Sequence, residues 1–185
     1  MCLYFWISSA NPPRTRPGSE DHAQEQSGQY GPTLDLDRYV PAFITFIANK
    51  LSNSATAYYQ RNFGVNVTDW RIMSLLAIEP GIPASRICHV IGFDKGPVSR
   101  TLSVLQKRGL VTIRTSPDDG RTHSISLTAK GRATHDKVIA AALERERRLL
   151  SVLKKDEREV LIDLLRRVHG NLDAVKGVGG PRDDA

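Results

Sequence analysis

Between residues 94 and 128 the chain carries a punctuated pattern that few folds accommodate. Asp94 precedes a helical stretch from Lys95 to Arg108 in which Val98, Leu102 and Leu105 recur at i, i+4 and i+7, and Gly109 closes it. Two short runs follow, Leu110–Arg114 and His123–Leu127. Val111 and Ile113 share one face of the first, and Ile125 and Leu127 share one face of the second. The intervening Ser116-Pro117-Asp118-Asp119-Gly120 is a strong turn sequence. A helix with one stripe to bury, leading through a glycine into a hairpin with one face to bury, must fold over further helices.

The flanking sequence supplies them. Val40, Phe43, Ile44, Ile47 and Leu51 predict a long first helix to about Asn62, ended by Gly64. Thr68 is a suitable N-cap for a second helix carrying Trp70, Ile72, Met73, Leu75 and Leu76, stopped by Pro80-Gly81. Pro83, at a first-turn position, opens a short third helix with Ile87, Val90 and Ile91, and Gly92 makes the turn into the Lys95 helix. Thr128 caps a long helix to about Leu150, and a last helix begins at Lys154 or Lys155 and reaches Val175. The expected fold is mainly α: a winged helix-turn-helix with a two-stranded β-wing and a helical dimerisation region. The expected organisation is a disordered arm over residues 1–33, a helical dimerisation region over 34–62 and 129–176, a winged helix over 63–128, and a flexible tail over 177–185.

Charge sharpens this reading. The chain is +6, and residues 86–132 hold nine basic residues (Arg86, Lys95, Arg100, Lys107, Arg108, Arg114, Arg121, Lys130, Arg132) against Asp94, Asp118 and Asp119. The whole surplus therefore lies in one quarter of the chain, either as the footprint of a polyanion partner or as a solvated surface. On the Lys95 helix the face opposite the apolar stripe is Lys95, Ser99, Ser103 and Lys107, with Arg100 beside it and Pro97 in the first turn. These side chains are short enough, or basic enough, to enter a major groove and bond base edges and phosphates.

The segments Asp94-Lys95-Gly96-Pro97-Val98-Ser99-Arg100, Leu105-Gln106-Lys107-Arg108-Gly109-Leu110-Val111, Asp119-Gly120-Arg121 and Leu127-Thr128-Ala129-Lys130-Gly131 resemble the MarR family of bacterial regulators over about residues 36–175. The resemblance implies a cytoplasmic, homodimeric regulator of transcription that binds a pseudo-palindromic double-stranded DNA operator. Lys95, Ser99, Arg100 and Ser103 would face the groove. Asp119 would hold Arg121 by a charge-assisted bond while Arg121 reaches into a minor groove; the alternative is a surface ion pair that stabilises the turn. Dimerisation would use Leu36–Arg61 and Glu157–Val175, and in the latter Val160, Leu161, Leu164, Leu165, Val168 and Leu172 form a stripe too wide for a terminal helix to bury alone. The resemblance further implies repression relieved by a small, aromatic effector. Tyr58, Phe63, Trp70 and Arg71 fall near the junction where it would bind, with core packing as the other role for the aromatics.

Other chemistry is thinly represented. No nucleophile–base spacing or phosphate-cradling glycine loop occurs, so no catalytic residue, cofactor or enzymatic activity is expected. His22, His89, His123, His135 and His169 are scattered without ligand spacing, and no metal is expected. Cys88 reads as filler, and Cys2 lies in the arm. Met1–Ala10 is apolar but lacks a basic n-region and runs into Asn11-Pro12-Pro13-Arg14, a poor signal peptide and no membrane span; an over-long start or an exposed arm fits it better. Two alternative functions remain at this point: a winged-helix protein-interaction module, and a constitutive DNA-binding protein without an effector.

Overall fold

The structure is a computed structural model that describes residues 25–28, 31–115 and 123–175. It divides into two units, broken between Asn53 and Ser54. In the first, β1 (Glu25–Gly28) pairs antiparallel with β2 (Gly31–Leu34), with Glu25 opposite Leu34 and Gly28 opposite Gly31. This corrects the expectation of disorder throughout residues 1–33. Composition measures how much a segment can bury, whereas a short ladder between backbones needs no apolar side chain. Asp35 then turns the chain, its carboxylate accepting from the Asp37 N–H at 3.0 Å, and α1 (Val40–Phe63) begins.

The second unit holds the end of α1 and all later elements. Gly64 stops α1 in the left-handed region at φ 69°. The next helix starts at Asn66 rather than at the expected Thr68. The Asn66 side chain accepts from the Thr68 and Asp69 N–H groups at 2.8 and 2.9 Å, and Asp69 returns a bond to the Asn66 N–H at 3.1 Å. Thr68 is thus a bonded member of this capping box and not its cap. Then come α2 (Val67–Ile78), α3 (Ala84–Ile91, with Pro83 at its N-cap), α4 (Lys95–Lys107), β3 (Val111–Thr115), β4 (His123–Leu127), α5 (Ala129–Leu149), a 3₁₀ turn (Leu150–Val152) and α6 (Lys155–Gly170). The last helix ends at Gly170, short of the expected Val175, and Leu172–Val175 forms a separate 3₁₀ turn.

The hairpin register is the one the alternation requires: Val111 faces Leu127 and Ile113 faces Ile125. Ile82 bridges Ile125 from the other side, tying the α2–α3 connection to the wing as a third, one-residue strand. The core beneath is built by Val65, Ile72, Met73, Leu76, Ile87, Val98, Leu105, Ile125 and Val138, all below 2 % exposed. Ala55 and Tyr59 from the end of α1 belong to the same cluster. The winged helix therefore draws on both flanking helices and is not closed at residues 63 and 128.

Thr128 caps α5 and staples it to the hairpin. Its hydroxyl donates to the Gly109 carbonyl at 2.7 Å and accepts from the Gly131 N–H at 2.9 Å. The first turn of α5 then runs so close to the residue preceding β3 that a Cβ on Gly131 would lie 1.9 Å from the Leu110 carbonyl oxygen. No helix among the described residues is long and apolar enough to cross a membrane.

Candidate nucleic-acid interface

The helix-turn-helix is set by one glycine-dependent turn and one apolar stripe. Gly92, at φ 73°, caps α3, and Asp94 takes the extended N-cap conformation of α4, though its side chain makes no capping bond. Pro97 sits in the first turn, where its missing N–H is harmless. Val98, Leu102 and Leu105 are buried, and this orients the rest of α4 outward. Lys95, Pro97, Ser99, Arg100, Ser103 and Lys107 are all exposed, so the structure brings the six predicted α4 residues onto one solvent-facing helix. Arg100 lies along the helix over Gly96, where an added Cβ would come 3.5 Å from its Nη1. Val104, half exposed among these polar groups, is an apolar contributor that the spacing did not single out. Asp119 and Arg121 lie outside the described residues.

The basic surplus is less uniform than its count suggests. Arg86 makes a two-pronged bond to Glu79, both contacts at 2.9 Å, and this holds the Glu79 carboxyl below its usual range. Lys130 donates to the Arg108 carbonyl at 2.8 Å, and Arg132 to the Ala77 carbonyl at 3.3 Å. Arg108, its side chain 36 % exposed, bonds back to the protein, donating from Nη2 to the Gly64 carbonyl at 2.7 Å, with Nη1 3.5 Å from the Asp69 carboxylate. Burial raises the Asp69 pKa against the opposing pull of its Asn66 bond and of Arg108. Lys95, Arg100 and Lys107 carry no ion pair among the described residues. Of the described basic residues in this stretch only Arg86 and Arg108 face a carboxylate, so Lys95, Arg100 and Lys107 on α4 keep their charge exposed, as do Arg114, Lys130 and Arg132.

The aromatic residues form a separate cluster. Tyr58 meets Phe63 edge-on at 6.2 Å, Tyr59 meets Trp70 at 6.2 Å, and Trp70 stacks on the buried His135 at 5.1 Å. Tyr58, Phe63 and Trp70 are therefore brought together, with Tyr59 between them. Arg71 is not: it stands over the Phe93 ring at 5.8 Å, because neighbours on a helix project about 100° apart. The cation on the cluster is Arg145, 5.8 and 5.9 Å from the Tyr58 and Tyr59 rings and bonded to Ser54 at 3.0 Å. Nothing local in the sequence marked it, since it lies more than eighty residues along the chain. Burial raises the Tyr59 hydroxyl pKa despite this arginine. No group of three metal-ligating side chains occurs among the described residues.

An exposed polar and basic helix, preceded by a tight turn and followed by a β-hairpin, defines a winged helix-turn-helix protein. A profile of the MarR family matches residues 63–122. A MarR/EmrR family transcriptional regulator from Acinetobacter sp. ADP1 is 31 % identical with a TM-score of 0.72, over 76 % of this chain and 99 % of its own. The chain belongs to the MarR family, whose members are DNA-binding transcriptional regulators and not enzymes. It is also similar to the helix-turn-helix-type regulator YdgJ of Bacillus subtilis, 28 % identical over 61 % of this chain and 69 % of that protein. The fold is shared with the transcriptional repressor CouR bound to a 23-mer DNA duplex, at 24 % identity and a TM-score of 0.65 over 73 % of this chain and 95 % of that one.

Proposed function

We propose that the protein is a cytoplasmic homodimeric repressor that reads a pseudo-palindromic operator with α4, is steadied by the wing carrying Asp119 and Arg121, and is released by a small aromatic effector. The observation that carries the DNA reading is the outward face of α4, where Lys95, Ser99, Arg100, Ser103 and Lys107 stand free of the core. The related repressor that binds a duplex supports it. Two such helices related by a two-fold fit half-sites about 34–36 Å apart.

Selection from a random duplex pool should return a palindrome with that spacing. Three unpaired α4 cations per protomer predict a slope of log affinity against log salt of roughly −5 from these helices alone. Arg100→Ala and Ser99→Ala should change the selected bases as well as the affinity, each by about 1–3 kcal/mol. A flat salt dependence, or an unchanged motif and affinity for Arg100→Ala, refutes the assignment of α4.

The effector reading rests on the Tyr58–Tyr59–Phe63–Trp70 cluster with Arg145 over it, a cation on an aromatic wall that suits a flat anion. An effector must bind the free and DNA-bound forms unequally. About 1.4 kcal/mol of coupling gives a ten-fold release, and operator must weaken the effector equally. Calorimetric titration of benzoate and hydroxybenzoates, with and without the selected duplex, measures this. Absence of binding, or equal binding in both states, leaves a constitutive DNA-binding protein.

A further inference from the structure

We infer that Arg108 is a positioning residue for DNA recognition: it fixes the tilt of α4 by bonding the α1–α2 corner and touches no DNA itself. The inference rests on the reading of α4 as the recognition element.

Arg108 is the C-cap of α4, and four elements meet there. Its Nη2 donates to the carbonyl of Gly64, the residue that terminates α1, at 2.7 Å. Its Nη1 lies 3.5 Å from Asp69, whose side chain is 4 % exposed and is itself pinned by the Asn66 N–H in the first turn of α2. Its own carbonyl accepts from Lys130 in the first turn of α5 at 2.8 Å. The planar fork can satisfy two acceptors at once, which an ammonium on a flexible stem does less well.

Leverage makes this contact matter for DNA. A helix of thirteen residues is about 20 Å long, so a tilt of about 5° about its C-terminal end moves Lys95 by about 1.7 Å. Base contacts need their donors held within about 0.5 Å and 10–20°. The stripe Val98, Leu102, Leu105 holds α4 onto the core, but the hydrophobic driving force is itself non-directional. A directional bond at the far end sets the angle.

A residue bonded inside the protein releases no counterions from DNA, whereas one bonded to phosphate does. This separates the inference from the obvious alternative, that Arg108 is one more cation of the basic surface. The full-length wild-type protein first selects a duplex from a random pool. Arg108→Ala and Arg108→Lys are then measured on that duplex and on poly(dI-dC) across about 50–200 mM KCl, with thermal midpoints alongside.

Arg108→Ala should lose about ten-fold or more on the selected duplex, less than about two-fold on poly(dI-dC), and keep the wild-type salt slope. Arg108→Lys, which keeps one donor for Gly64, should fall between. A shallower slope with equal loss on both DNAs overturns the inference in favour of a phosphate contact, and a folded variant with unchanged affinity overturns it outright. If Arg108→Ala does not fold, Arg108→Lys is judged by the same criteria. A wild type that selects no duplex removes the recognition reading and this inference together, whereas selection by wild type without an Arg108 effect removes only the inference.

Discussion

Gly131→Ala is expected to destabilise the protein by about 3 kcal/mol or more, at or beyond the upper end of the usual overpacking penalty. Inside an ordinary helix the same change would stabilise by about 0.5–1 kcal/mol, so the sign alone is informative. The new Cβ would meet the Leu110 carbonyl oxygen at 1.9 Å, its carbon at 2.9 Å and Leu127 Cδ2 at 3.3 Å. Two of these are backbone atoms and cannot rotate away. Relief requires moving the first turn of α5, which stretches the Thr128 bonds to Gly109 and Gly131 and the Thr128 N–H bond to Leu110, now 3.1 Å. For a chain of this size about 3 kcal/mol lowers the thermal midpoint by roughly 6–12 °C. Circular dichroism melting measures it, with Gly170→Ala as control, since nothing lies within 4 Å of a Cβ there. A midpoint at or above wild type would mean that α5 does not press on the Leu110 carbonyl.

If the protein is the proposed homodimer, ending the chain at Leu153 should abolish self-association. No residue of α6 is buried, and Val160, Leu164, Leu165, Val168 and Leu172 are 58, 47, 48, 47 and 52 % exposed. In the proposed homodimer this run of large apolar side chains is the surface that a second copy would cover. Light scattering should fall from twice 20.5 kDa to the monomer value, or rise through aggregation as the partner faces on the remaining helices open to water. Pairing Val160→Glu with Leu164→Glu in the full chain tests the same face without deleting it. Either variant behaving as a stable dimer at low micromolar concentration rules out this surface. Operator affinity should collapse in step, because one half-site then binds without its neighbour.

The sequence made the second half of the winged helix legible because each boundary has a local chemical cause. Gly92 and Gly109 adopt positive φ, Thr128 caps, and strict alternation admits one hairpin register. The start of α2 was harder: Asn66 and Thr68 are both competent caps, and the choice falls to Asn66 because Asp69 sits three residues on to close the box. The exposure of the α4 residues followed directly from the buried stripe. The roles of the remaining cations did not. Arg108 finds its acceptors 39 and 44 residues away, and Arg145 finds Ser54 91 residues away. A charge count registers the cation and is silent on such partners. The same holds for Arg71, whose neighbour Phe93 is set by how α2 packs, and for the β1–β2 ladder, which depends on backbone pairing alone.

The bridge between Ile82 and Ile125 also decides which side of the wing is open to other chains. The Ile125 N–H bonds the Ile82 carbonyl at 3.0 Å, and its carbonyl accepts from the Gly81 N–H at 2.9 Å. Ile125 therefore spends its backbone groups outward from the hairpin, and its opposite number Ile113 must do the same on the other side, since paired residues in an antiparallel ladder alternate between exchanging bonds and turning away. Among the described residues the outer side of β4 is thus bridged at Ile125, whereas β3, five residues long, has no strand on its outer side, and its Arg114 and Thr115 end is exposed. A short edge carrying an arginine is a poor template for sheet extension. The β3 edge therefore does not invite a second wing to add a strand.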